Sequence, residues 1–476
     1  MPRSRAALSF GLVTVIWTVA FLCLETSAAN WPQFRGPQAS GVDASRAAPI
    51  RWDATNGEAL RWHTPIPGLA HASPILWGDR LYVATAVRPG QAELKIGLYG
   101  DTTSANDQES HQWRLLALDR GTGKILWDKL GYEGVPRLKR HPKSSHCSST
   151  PATDGRRLVA LFGSEGLFCF DMEGQLLWHK DLGPMDASYF QAPSAQWGFA
   201  SSPVIHQGKV IVLCDVLTNS FLAAFDLESG NPLWRTARHD VPTWGTPTVV
   251  RVGDRTQILV NGWHHTGAYD FANGREIWKL DGGGDIPVPT PVIGQGLAIF
   301  TSAHGRLRPM RAIRLEAQGD LTPSDSAAAI PQDPPGQPFN PGMGDTTPVK
   351  PGSTNGAIAW SYPRQGDYLQ TPVVVGDHVY GCSDNGVLTC FDLKTGAIRY
   401  SERLGNGRGG FSASPVSDGR HLYFTSEVGQ VFVLPATDQF TVLATNNLGA
   451  ICMATPIVAE GVLYFRTRDQ VVAIAP

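Results

Sequence analysis

The chain has 476 residues, 42% of them apolar and 17% charged, enough to bury a large core. A formal net charge of −2 leaves no basic footprint for nucleic acid, so a nucleic-acid partner is not expected. Glycine at 51 and proline at 35 argue against a helical protein and suit a chain of many tight turns.

The N-terminus reads as a targeting segment. Arg3 and Arg5 precede an uncharged run over residues 6–24, and Ser27-Ala28-Ala29 fits a small-residue cleavage site. A signal peptide over residues 1–29 is predicted, and with it export to the periplasm or the extracellular space. The run is long for a signal peptide, so an uncleaved anchor is the alternative, and then the single membrane contact. Residues 30–56 form a lead-in rich in Pro and Gly.

Beyond it, a Ser/Thr-Pro pair opens a short apolar run eight times. The openers are Ser73-Pro74, Thr150-Pro151, Ser202-Pro203, Thr246-Pro247, Thr290-Pro291, Thr371-Pro372, Ser414-Pro415 and Thr455-Pro456. Successive prolines stand 77, 52, 44, 44, 81, 43 and 41 residues apart. A period just over forty, with two insertions, predicts a repeat architecture. Proline suits the first residue of a strand, where its missing N–H costs no ladder bond. The cleanest copy, residues 371–400, contains four short strands and the turn Asp384-Asn385-Gly386. That is one blade of a β-propeller.

The far end of the repeat is equally regular. Asp119, Asp171, Asp226, Asp270 and Asp392 each end a third strand, and a glycine-bearing turn follows. The carboxylate is expected to cap the turn. Trp127, Trp178, Trp234, Trp278 and Trp360 close fourth strands, with Tyr400 in their place once. These rings are expected to wedge between blades. Eight openers predict an all-β, eight-bladed propeller of four-stranded antiparallel blades, forming a single domain over residues 30–476. The last blade lacks a fourth strand. Gly57, Leu60 and Trp62 match Gly123, Leu126 and Trp127, so the N-terminal strand is predicted to complete it and close the ring.

Two insertions interrupt the pattern, at about residues 87–112 and 316–354. The first is polar and reads as a surface loop or a lid. The second, with Pro-Gln-Asp-Pro-Pro at its heart, reads as disorder or an extended arm. Lys139, Arg140 and Lys143 are expected on a solvated loop. Six cysteines follow residue 29, none with a CxxC spacing. Cys382 and Cys390 flank one hairpin, and a buried free pair is expected there rather than a disulfide.

The openers and the Asp-x-x-Ser/Thr-Gly-x-x-x-Trp endings resemble the pyrroloquinoline-quinone (PQQ) repeat family. That family includes quinoprotein dehydrogenases and the BamB-type outer-membrane assembly factor. Trp31-Pro-Gln-Phe-Arg-Gly-Pro37 is similar to the start of secreted family members of obscure function. The dehydrogenases of this resemblance carry adjacent cysteines, a calcium site of Glu, Asn and Asp, and an Asp base. This chain has no adjacent cysteines, and no such set can be matched. Trp197 or Trp244 is the one feature suited to stacking on a quinone. BamB-type proteins are usually lipid-anchored, but Cys23 follows Leu22 rather than the small residue a lipoprotein signal needs.

The segments just before the openers converge at one mouth of the central channel. They supply His71, His146, Trp197, Trp244, Asp285, Tyr368, Phe411 and Met453 as candidate ligand-binding residues. Such an amphipathic ring suits a planar or sugar-like ligand, or a peptide. The alternative is that these residues plug the channel with nothing bound. No catalytic residue is assigned. No metal is expected, since His264 and His265 read as strand neighbours facing opposite ways. The favoured function is a non-enzymatic, exported scaffold or binding module, monomeric, with a protein partner in the cell envelope and no cofactor. The alternative is an oxidoreductase with PQQ and calcium at the channel mouth.

Overall fold

Short runs of β-branched and aromatic residues, cut by glycine turns, pair into eight antiparallel sheets arranged as the blades of a propeller. The computed structural model describes Met1 and residues 30–98, 102–304, 307–322, 356–407 and 409–476. The predicted signal segment and most of the second insertion lie outside the described residues. Blade 1 holds Ile75–Trp77, Arg80–Val87, His111–Asp119 and Ile125–Gly134. Blades 2 to 7 follow over residues 152–180, 204–237, 248–280, 292–362, 373–403 and 416–447. Blade 8 takes three strands from residues 457–474 and its outer strand from Leu60–Pro65, which runs antiparallel to Gln470–Ile474. Among the described residues no helix is long and apolar enough to cross a membrane.

Burial follows position within a blade. In blade 3 the middle strands Lys209–Cys214 and Phe221–Asp226 are buried on both faces, because neighbouring blades cover both. The outer strand Pro232–Ala237 alternates exposed and half-buried residues, as expected where one face meets water.

The repeat's closing motif is a blade-to-blade joint. Each aspartate caps its own turn: Asp119, Asp226 and Asp392 accept from the backbone N–H and hydroxyl of Thr122, Ser229 and Thr395. Five tryptophans then dock on the next blade through the indole N–H, whereas that of Trp278 is buried without a partner. The indole N–H groups of Trp62, Trp127, Trp178, Trp234 and Trp360 donate to the carbonyls of Arg120, Met172, Leu227, Phe271 and Leu393, at 2.8–3.2 Å. Each acceptor is the residue after the capping aspartate. The turn glycine makes room for the incoming ring: at Gly274, with φ +73°, an added Cβ would lie 2.4 Å from Trp234. Trp62 makes this joint from blade 8 to blade 1, across the seam.

The openers form a second joint, which explains their hydroxyls. The backbone N–H of Ser73 donates to Thr150 Oγ1, that of Thr150 to Ser202 Oγ, and so on through Thr246, Thr290, Thr371, Ser414 and Thr455, at 2.9–3.1 Å. Seven bonds thus encircle the channel. At the seam, Ser73 Oγ is buried without a partner.

Two expectations need revision. The start of the second insertion is not loop: Gly319–Asp320 adds a fifth, parallel strand to blade 4 beside Trp278 and Lys279. His264-His265 is not in a strand but in the turn before Thr266–Asp270, where Asp240 accepts the N–H groups of residues 263, 264 and 265. All six described cysteines are buried and free, Cys382 and Cys390 included.

The hydroxyl ring makes a paired prediction. Ser202→Ala strands the buried Thr150 N–H and should cost about 1–3 kcal/mol in denaturant unfolding. Ser73→Ala removes a hydroxyl that accepts nothing and should cost close to zero. Equal losses would show that the ring bonds do not stabilise the fold.

Candidate functional site

The channel is corked by the protein's own lead-in. Trp31 pairs with Leu76 in blade 1, the Pro32 carbonyl accepts from Thr153 in blade 2, and Val42 pairs with Ser417 in blade 7. The turn Pro37–Ala39 packs against the inner strands of blades 4 and 5. Arg35 is fully buried. Its guanidinium donates to the carbonyls of Pro372 at 2.9 Å and Pro415 at 2.8 Å, two of the openers. Burial pushes it down to about 9. The sequence motif at residues 31–37 is therefore a plug.

Above the cork lies a cavity of about 170 Å³ floored by Phe34. Opener hydroxyls and Trp197, Trp244, Tyr368, Met453 and His71 form its wall. Five of the eight predicted mouth residues thus meet. Among the described residues that line it, none is Asp, Glu, Asn or Gln, and Lys143 is the single Lys or Arg.

The other three predicted residues lie elsewhere. Phe411 turns into the core between blades 6 and 7, its ring 6.0 Å from Phe432. Its N–H donates to the Asp384 carbonyl at 2.9 Å. Asp285 is buried, accepting from Tyr189 Oη at 2.9 Å and contacting His304 Nδ1 at 2.9 Å. His146 lies beside Asp107 and His111, away from the cavity wall.

The described parts of the first insertion fold over the mouth as a lid. Arg140 and Lys143, expected in solvent, are buried and hold it down. Lys143 Nζ pairs with Glu427 Oε1 at 2.7 Å and also donates to the Gly97 carbonyl, while Gly97 N–H donates to Glu427 Oε2 at 2.6 Å. Arg140 pairs with Asp107 at 2.8 Å and donates to the Glu93 carbonyl at 3.0 Å. Lysine and arginine are buried this way only when paired. Their partners stand 284 and 33 residues away, out of reach of local sequence reasoning.

Beside the lid, the hairpin of Ser188–Tyr189 and Ala192–Gln196 carries an aromatic strip along the rim. Tyr189 stacks on Trp197, centroids 5.3 Å apart at 6°. Phe190 packs on Trp263 at 4.5 Å, and Trp263 on exposed His264 at 4.0 Å. The strip continues through His304, which meets Tyr189 edge-on at 5.7 Å and stacks on Tyr368 at 6.1 Å. Sequence reasoning found Trp197 and Tyr368 but missed Tyr189, Phe190, Trp263 and His304, which lie outside the segments just before the openers.

His71 contacts the Lys143 carbonyl through Nε2 at 3.0 Å. Desolvation pushes the imidazole down to about 4, the Lys143 carbonyl opposes this, and the charges of Arg140, Lys143 and Arg466 add to the fall. Unfolding restores a value near 6.5, so the unfolded chain binds the extra proton. Stability should therefore fall as pH drops from 6.5 towards 4, by at most about 3 kcal/mol from this group. His71→Gln should lack that component when unfolding is compared at pH 7 and pH 4. An identical pH dependence in both proteins would contradict the assignment.

Residues 42–279, half of the 476-residue chain, match the family model for the outer membrane protein assembly factor BamB. No curated protein matches the chain. Among solved structures, BamB from Moraxella catarrhalis is 16% identical at a TM-score of 0.50, with 82% of this chain and 98% of that chain covered. A europium-containing methanol dehydrogenase is 12% identical at 0.53, covering 93% and 90%. The quinohemoprotein alcohol dehydrogenase from Comamonas testosteroni is 12% identical at 0.55, covering 95% and 81%. At such identities these likenesses speak to the fold alone. With its eight-bladed ring and a match over half its length, the chain belongs to the family described as outer membrane protein assembly factor BamB.

Proposed function

We propose that this protein is a non-enzymatic binding module of the cell envelope that holds a protein partner on the rim of its channel mouth. The observation that carries the reading is the aromatic strip. Trp263, Phe190, Tyr189, His304 and Tyr368 lie in ring contact on one side of the mouth, beside a cavity whose wall has no carboxylate. Tyrosine and tryptophan are enriched among the few residues that carry most binding energy at protein interfaces. The family's description supports a protein partner and a place in the envelope. The N-terminal segment over residues 1–29 supports export.

A calcium-bound quinone does not fit the residues present. Calcium takes about six to eight oxygen ligands, carboxylates foremost. The cavity wall offers hydroxyls and backbone but no acidic or amide side chain among the described residues. Its one lysine already faces Glu427. A cavity near 170 Å³ is also smaller than the about 300–1,000 Å³ of ordinary ligand sites.

The test uses a photo-crosslinking residue in cells, placed at Phe190 on the rim or at Leu233 on the exposed outer strand of blade 3. A discrete protein adduct is expected from position 190 and not from 233. Phe190→Ala with Trp263→Ala should weaken that partner's binding by about 2 kcal/mol or more. Adducts from 233 alone, or from neither position, would contradict the proposal.

A further inference from the structure

We infer that Asp107, His111 and His146 form a binding site for a divalent first-row transition ion, zinc above others, which fastens the lid to the propeller. The three residues each offer one donor atom, and these atoms lie within 4.8 Å of one another. Asp107 Oδ1 and His146 Nε2 stand 3.3 Å apart. That is about the edge of a tetrahedron built on metal bonds of about 2.0–2.1 Å. Both atoms are buried and face each other as an ion pair, without the alignment of a good hydrogen bond, and neither has another partner. Buried polar atoms so poorly satisfied are few in native structures and ask for an explanation.

The surroundings orient the donors. His111 Nδ1 stands 2.8 Å from the Glu109 carbonyl, so in the neutral ring it donates there. The lone pair then falls on Nε2. Metal-binding histidines are held by such an outer bond. Arg140 Nε takes Asp107 Oδ2 at 2.8 Å and leaves Oδ1 as a single donor. Its charge opposes the ion's, so the site is weaker than the same triad without the guanidinium. Two imidazoles and one carboxylate suit zinc and its neighbours, whereas calcium and magnesium require oxygen.

The three donors come from separate places. Asp107 belongs to the lid, His111 opens the third strand of blade 1, and His146 precedes the blade 2 opener. An ion shared among them cross-links the lid's return limb to two blades.

The full chain, stripped with a chelator and then titrated with zinc by calorimetry, tests this. One ion per chain is expected, with slower proteolysis within residues 102–110 once zinc is added. His111→Gln and His146→Gln should each weaken binding by more than the about 10–100-fold that losing an outer partner costs. Their melting temperatures without metal should stay near that of the parent. Should either variant fail to fold, cobalt(II) in the unaltered chain decides: visible bands of a low-coordinate nitrogen–oxygen site support the inference. No zinc uptake, or unchanged uptake in the double variant, overturns it, as does a cobalt(II) spectrum of the hydrated ion alone.

Discussion

The ring of hydroxyl-to-amide bonds around the channel sets the geometry of everything else. An innermost strand begins with proline, which donates nothing, so the residue before it must carry the joint to the next blade. Serine or threonine there accepts the preceding blade's N–H, and seven such bonds join the eight blades in sequence. The ring is open at one step, where Ser73 Oγ has no partner. Other contacts hold that seam. Leu60–Pro65 pairs with the last strand, Trp62 docks on the Arg120 carbonyl, and Arg120 pairs with Glu460 at 2.8 Å. A chain that closes on itself leaves no free strand edge between its first and last blades.

The outer joint repeats the same logic at larger radius. Aspartate tightens its own turn, glycine clears a space above it, and the previous blade's tryptophan fills that space. Because each part is local to a short motif, the sequence made the fold readable: blade number, strand order and the missing eighth outer strand all follow from residues a few positions apart. Phe411 shows where such reading stops. It precedes its opener by three residues, between the spacings of Trp197 and Trp244, yet its ring turns into the core beside Phe432. Nothing within its own segment signals that rotation.

The cork and the lid were harder to see for a related reason. Arg35 finds its acceptors more than 300 residues away in the chain, at Pro372 and Pro415. Lys143, leading into blade 2, finds Glu427 in blade 7. Buried charges read as surface charges when the partner lies in another blade. Together these two segments narrow the channel to a small cavity above Phe34.

The proposed function expects that the channel does not take up a quinone cofactor. It is tested most directly by titrating the purified protein with PQQ, with and without calcium, while following the melting temperature and the absorbance of the quinone. A ligand that binds only the folded state raises the melting temperature by mass action. No shift is predicted at high ligand excess in either condition. A saturable, calcium-dependent rise would contradict the account and return Trp197 and Trp244 to the role of cofactor-stacking residues.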